Sequence, residues 1–507
     1  MIQKKSLIIP FMVLIIALVI TAGCTSQPEK GLTKNLGDTQ PPVAAPDQTP
    51  RNVAGPASSA AAGNAPDGIA TPLLGRPTDK SVNVNVVPAE NLEIFLEYRE
   101  RNSTSPLKTP AVVAKAGVPQ NLVISGLAPD TGYIYQLCYR SPGDTAVQCS
   151  PEYSFYTQRG PGSSFVFDVQ ADSHLDERAS GDLYRSTLSN ELADNPDFLI
   201  DLGDTFMTDK LPVKNKQTYL NQYLMQRSYI DIIGHSVPLF LVPGNHDGEA
   251  GYALDGTGNN IAVQSLQFRK QYFPNPEPDG FYSGNSVNEK FTGLRQDYYA
   301  WEWGDALFVV LDPYWYTTTK PGEKTDGWGW TLGEAQYQWL KQSLEKSPAT
   351  YKFVFAHHLV GGDPQGRGGT EFASLYEWGG NNLDGSYGFD QHRPGWGMPI
   401  HQLLVDNNVT AFFHGHDHFF AKQELDGITY LEVPQPATSS SPKDRPGAEY
   451  GYTSGEMLGS PGHLRITVSP GSALVEYIWS GLPPDTKSGV KNGAVAYSYT
   501  LPFKGAT

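Results

Sequence analysis

Five short apolar runs in the middle of the chain each end, within a few residues, in side chains that bind metal ions. Phe165-Val166-Phe167 leads to Asp172-Ser173-His174, and Phe198-Leu199-Ile200 leads to Gly203-Asp204. Leu239-Phe240-Leu241-Val242 leads to Gly244-Asn245-His246-Asp247, and Tyr351–Ala356 leads to His357-His358. Ala411-Phe412-Phe413 then precedes Gly415, His416 and His418. Runs of this length, rich in β-branched and aromatic residues, read as buried strands, and the helical or irregular stretches between them predict an α/β architecture. Open α/β sheets gather ligands at the carboxyl ends of their strands, so all five runs would deliver carboxylates and imidazoles to one edge. A glycine just ahead of the polar residues marks a turn where backbone passes close to something.

The chain before this region changes character three times. Lys4 and Lys5 precede an uncharged apolar stretch from Leu7 to Ile20, which meets Thr21-Ala22-Gly23-Cys24, so residues 1–24 read as an export signal. Its end resembles a prokaryotic lipobox, with Thr21 where leucine is usual. That resemblance implies lipidation of Cys24 and an exported, membrane-anchored lipoprotein at the cell surface or in the periplasm; an uncleaved apolar anchor is the alternative. Residues 25–71 are rich in Pro, Ala, Gly and Ser and poor in large apolar residues, the composition of a flexible linker. Residues 72–158 carry short alternating runs, such as Ser81–Val86, Leu92–Tyr98 and Tyr133–Tyr139, which predict an all-β sandwich. Its Gly126–Tyr135 segment resembles the turn and strand of fibronectin III-like domains. Such a unit can serve as a spacer, a docking module or a lid over a neighbouring site. Cys138 and Cys149 fall here, and outside the cytoplasm an even pair suggests a disulfide, with two buried thiols as the alternative.

The net charge of −16 and the lack of a basic tract argue against nucleic acid as a resting partner. No Walker or dinucleotide glycine pattern occurs. The ordered set Asp-x-His, Gly-Asp, Gly-Asn-His-Asp, strand-end His and Gly-His-x-His resembles the calcineurin-like metallophosphoesterase family, with Tyr298–Leu311 and Gln338-Trp339-Leu340 adding to the likeness. The resemblance spans Ser163–Tyr477 and implies, for residues 160–505, two packed β-sheets flanked by helices. It implies that Asp172, His174 and His418 bind one divalent ion, that Asn245, His357 and His416 bind a second, and that Asp204 bridges them. Of the adjacent His357 and His358, alternation lets only one face the site, and the family pattern uses the first. Two divalent ions (Mn, Zn or Fe(II)) would clamp an anionic ester and acidify a water for attack.

The same resemblance places His246 beside the phosphoryl group as proton donor or charge stabiliser, with Asp247 either orienting it or serving a turn. The long segment after His357 supplies Arg367 and Arg393 as candidates for phosphate and Trp378 for the leaving group. His235, His392, His401, His414 and His463 carry no motif and read as surface or packing residues. The expected activity is hydrolysis of small phosphate esters, most simply monoesters as in acid phosphatases; the alternatives are a phosphodiesterase for cyclic nucleotides or lipid head groups and a non-catalytic surface binding protein. Purple acid phosphatases owe their colour to a tyrosinate on Fe³⁺, three residues after the Gly-Asp aspartate, and have glycine in place of the first-motif histidine. This chain has Met207 and His174 there, which implies a colourless enzyme unless another tyrosine, such as Tyr184 or Tyr223, reaches the site.

Overall fold

The computed structural model describes residues 72–501, apart from 177, 323–326, 361, 442 and 483–488. The export segment, Cys24 and the linker to residue 71 lie outside the described residues. Among those described, no helix is long and apolar enough to cross a membrane.

The N-terminal part is all β. One antiparallel sheet joins Leu73–Gly75, Ser81–Val86 and Gln120–Ser125, and a second is built around the paired strands Leu92–Glu100 and Gly132–Arg140. Val82, Val84 and Ile124 from the first sheet meet Ile94, Leu96, Tyr135 and Leu137 from the second in one buried core. The period-2 alternation of these strands is what allows each to bury one face. Cys138 and Cys149 sit opposite each other in register and are joined by a disulfide.

The rest of the chain forms two large sheets packed face to face. The six-stranded sheet places Leu239–Leu241, Phe198–Asp201 and Phe165–Gln170 in parallel, then continues antiparallel through Gly462–Ser469, Ser472–Trp479 and Val495–Leu501. The eight-stranded sheet holds Ala306–Val310, Tyr351–Phe355, Ala411–His414 and Ile428–Glu432 as parallel neighbours. Between the sheets lies an aromatic core in which Phe167, Phe198, Phe240 and Ile466 meet Trp301, Phe308, Phe353 and Phe413. Each such side chain, fully buried, contributes about 1.5–3 kcal/mol relative to exposure. Because alternate residues of a strand face opposite ways, the outer faces are left for helices: Gly181–Asp194 and Lys216–Ile230 cover the six-stranded sheet, and Glu334–Lys346 and Ile400–Asp406 cover the other.

The all-β part docks where the parallel strands begin. Arg227, at the end of the Lys216–Ile230 helix, donates from Nη1 to Asn85 Oδ1 at 2.7 Å and from Nη2 to the Asn85 carbonyl at 2.7 Å. Tyr135 donates to the carbonyl of His235 at 2.7 Å, and Tyr153 stacks on the His235 ring at 4.4 Å. Arg159 pairs with Asp197 at 2.6 Å, one residue ahead of the Phe198–Asp201 strand. These contacts lie at the ends of the strands opposite Asp204 and Asn245.

Candidate metal centre

The parallel strands of both sheets run toward one edge, and the loops that leave them converge there. The backbone at that edge is unusual. Asp172, His174, Asp204, His416 and His418 all have positive φ, between 52° and 80°. Non-glycine residues enter this left-handed region at an energetic cost and do so most often at functional sites. The effect is to turn five side chains back toward one point just beyond the strand ends. Gly415 makes the closest approach possible: a Cβ there would lie 2.5 Å from Asp172 Oδ2, and the following amide of His416 donates to that same oxygen at 2.8 Å.

Two donor groups result. In the first, the Nε2 atoms of His174 and His418 lie 3.5 and 3.4 Å from Asp172 Oδ1. In the second, His357 Nε2 lies 3.0 Å from Asn245 Oδ1 and 3.2 Å from His416 Nδ1. Asp204 Oδ2 stands between them, 3.5 Å from His174 Nε2 and 3.4 Å from His357 Nε2. Donors about 2.1 Å from a tetrahedral ion are themselves roughly 3.4 Å apart, so these spacings suit metal ligation. Asp172 Oδ1 and His174 Nε2 are buried with no hydrogen-bond partner in the protein, which is the state of an atom reserved for an ion.

The ring tautomers fit the same purpose. His357 Nδ1 donates to the Leu202 carbonyl at 2.9 Å and leaves Nε2 as a lone-pair donor. His416 Nε2 donates to the Gln365 carbonyl at 3.1 Å and leaves Nδ1 facing His357. Such outer contacts fix ring orientation and ligand basicity. Burial opposes charge on both carboxylates, yet the neighbouring imidazoles, His357 foremost, hold Asp172 and Asp204 well below the usual carboxylate range. Burial likewise disfavours charge on His174 and His357, but Asp172 and Asp204 draw them up to about 10 and about 9. The centre is an anionic well that calls for positive charge.

The sequence model of the calcineurin-like phosphoesterase family matches residues 165–420. The chain belongs to this family. It is a metal-dependent phosphoester hydrolase. No curated protein matches the chain. Among solved structures it resembles PhoD, at 15% identity over 86% of this chain and 92% of that one, with a TM-score of 0.62. It also resembles the purple acid phosphatase PPD1 of yellow lupin (Lupinus luteus) seeds, at 16% identity over 85% of this chain and 74% of that one, with a TM-score of 0.55. At these identities the likeness is one of fold.

His246 completes the edge of the phosphoesterase centre. Its Nε2 lies 4.0 Å from Asp204 Oδ2, and its backbone amide donates to Asp204 Oδ1 at 2.7 Å. The carboxylate that faces its other nitrogen is Asp209, with both oxygens 3.0 Å from Nδ1. This corrects the expectation that Asp247 orients His246. Asp247 is buried and accepts from the amides of Asp204, Phe206 and Gly244 at 3.1, 2.7 and 2.9 Å, so it ties two ligand loops together. No motif spacing pointed to Asp209; the sole signal is a second carboxylate shortly after Gly-Asp.

Of the three substrate candidates, only Arg367 lies at the centre. Its Nη1 donates to the His416 carbonyl at 2.7 Å and to Asp417 at 2.9 Å, and its guanidinium sits 4.6 Å above the Tyr450 ring. Trp378 is instead a core residue, fully buried against Phe412 with Nε1 donating to Tyr430 at 3.0 Å. Arg393 is bound to the buried Glu377 and to the carbonyls of Trp328 and Trp330, so its donors are spent on partners within the protein. His358 turns away from the donor groups, with Nδ1 donating to the Leu359 carbonyl at 2.6 Å. A residue that sequence reasoning missed is Glu432: its Oε1 accepts from the amides of Asp417 and His418 at 2.9 and 3.0 Å, and its Oε2 lies 2.8 Å from His414 Nδ1. A cleft of about 270 Å³ opens beside His418, lined by Arg178, Asp417, Gln435, Asp444, Glu449 and Tyr450. Arg178 Nη2 stands 3.4 Å from His174 Nδ1, and the far wall comes from the segment after residue 435, not from the long segment expected to shape it.

Proposed function

We propose that the chain hydrolyses small phosphomonoesters outside the cytoplasm. In this reading Asp172, His174 and His418 hold one divalent ion of the Mn, Zn or Fe(II) class, Asn245, His357 and His416 hold another, and Asp204 is shared. The observation that carries the reading is Asp204 Oδ2 standing within 3.5 Å of a nitrogen from each donor group, with His246 Nε2 on the same side at 4.0 Å. Divalent ions in such a pair supply charge to the ester and acidify water. His246 then protonates the leaving oxygen from Nε2, while Asp209 accepts from Nδ1 and fixes the orientation of the ring. A monoester carries more negative charge than a diester and so profits more from a cationic centre; Arg178, held by Asp176 at 2.8 Å, stands at the rim of the cleft.

A panel of matched mono- and diesters on the Mn²⁺- and Zn²⁺-loaded protein tests this: faster turnover of monoesters is expected, and a preference for diesters overturns it. Iron-loaded protein should show no intense visible band. Tyr184 receives hydrogen bonds from Gln170 and Gln226, and Tyr223 donates to the Ser265 carbonyl at 2.9 Å, so neither hydroxyl is turned to the metal ligands.

We also propose that Cys24 carries the lipid that tethers the protein, and that the fibronectin III-like part is a rigid spacer and not a lid, because its contacts lie at the strand starts. Cys24→Ala should release protein that otherwise partitions into detergent.

A further inference from the structure

On the other face of the six-stranded sheet, under the Gly181–Asp194 helix, lies a second set of metal-type side chains. Asp168 lies on the Phe165–Gln170 strand, four residues ahead of Asp172, which belongs to the loop that follows the strand. Phe165, Phe167 and Val169 face the aromatic core, so Asp168 points into the helix layer. Asp194 ends the helix, which Ser180 caps at its start, and His463 lies on the antiparallel neighbour strand. One donor atom from each of Asp168, Asp194 and His463 lies within 4.8 Å of the others.

The electrostatics of this pocket do not close within the protein. Asp168 and Glu191 are both fully buried, and none of their four carboxylate oxygens has a hydrogen-bond partner. His463 is fully buried as well; Nε2 is held by Asp194 at 2.8 Å and Nδ1 has no partner. The cation present is Arg465, and it is divided between Asp194 at 2.6 Å and Glu476 at 2.8 Å. Asp201, the remaining carboxylate of this layer, is already satisfied by Gly203, Thr205 and Gln170. Burial pushes the Asp168 and Glu191 carboxyls well above the usual range. Protonation alone would remove the charge but leave the buried acids without partners. A bound cation answers both problems.

We propose that Asp168, Asp194 and His463 form a further divalent-metal site, separate from the catalytic centre, with Glu191 adding negative charge to it. The mixed imidazole and carboxylate donors select an ion of the Zn²⁺ or Mn²⁺ class over Ca²⁺ or Mg²⁺, which prefer oxygen alone. Its role would be structural, fastening the end of the helix to the sheet.

Metal content of the purified full chain, measured against Asp168→Asn and His463→Gln, tests the site. Each variant should carry one ion per chain fewer than the parent after Zn²⁺ or Mn²⁺ loading, a difference that does not depend on how many ions the catalytic centre holds. The parent should gain thermal stability from added Zn²⁺ that Asp168→Asn does not gain at the same site, while in chelator Asp168→Asn should be at least as stable as the parent. Equal metal content in parent and variants overturns the proposal. Should the variants fail to fold, metal-edge anomalous scattering from crystals of the Zn²⁺-loaded parent decides it: a peak between Asp168 and His463 supports the site, and no peak there overturns it.

Discussion

The two ends of the parallel strands differ in how their polar groups are satisfied. Where the strands begin, the protein answers its own needs: Arg227 is matched by Asn85, Tyr135 by the His235 carbonyl, Arg159 by Asp197, and Tyr282 by the Pro77 carbonyl. Where they end, five residues sit at positive φ, two buried carboxylates face four imidazoles, and Asp172 Oδ1 and His174 Nε2 have no partner. The first end is closed by contacts within the chain and the second awaits positive charge. Removing metal should therefore loosen the strand ends and leave the docked all-β part in place.

The largest effect should come from Asp204→Asn, which takes away the oxygen that lies between both donor groups. Activity should fall to background, and most metal should be lost; a variant that retains the parent's catalytic metal would show that Asp204 does not join the groups. His246→Ala should keep its metal yet lose about 10²–10⁴ in kcat, the range for a general acid or a transition-state contact. If metal and activity fall together, His246 is a ligand. Asp209→Asn acts only through His246, so a loss of roughly 10–100-fold in kcat with metal retained is expected, as for other outer partners of a site histidine. A loss as large as that of His246→Ala would mean that Asp209 itself meets the substrate. Asp247→Ala should behave differently from both, costing about 2–4 kcal/mol of stability because three buried amides lose their acceptor. Unchanged thermal unfolding would remove it from the scaffold.

How much of the fold and the site is legible in the sequence follows from how local each signal is. The donor residues stand directly after apolar runs, and a strand's end is a local fact, so seven positions can be read as one edge from the order of residues alone. The α/β alternation is legible for the same reason, whereas the pairing of two sheets comes only from the family resemblance, because strands buried on both faces carry no alternation that assigns them to a sheet. Arg393 and Trp378 mislead because a side chain in an irregular segment takes its meaning from distant neighbours: Glu377 and Tyr430 claim them, and no spacing announces it. Asp209 and Glu432 are invisible on the same ground, each defined by what the fold brings to it. His463 has no motif at all, and gains interest only through the unpartnered carboxyl of Asp168 nearby.

The smallest expected effect belongs to the closed end and concerns pH. His235 is stacked on Tyr153, and burial pushes its imidazole down from the ordinary 6.5 to about 4. As pH falls, the unfolded chain takes up a proton at this residue near 6.5, while the folded protein refuses it until about 4. The unfolded state binds more protons over that interval, so the contribution of His235 to stability is complete above pH 6.5 and is lost as pH falls toward 4. At pH 5 the loss is at most about 2 kcal/mol, and solvent near the partly buried ring reduces it. His358 and His414 are also held down, to about 3, and their losses have the same sign, so the test must be a difference. His235→Phe keeps the stack and removes the titration. Chemical unfolding of parent and variant at pH 7 and pH 5, with metal present throughout, should show the variant losing about 1–2 kcal/mol less than the parent on acidification. An equal loss in both would place His235 in contact with water, and the all-β part would then be docked more loosely than the contacts at Arg227 and Tyr135 imply.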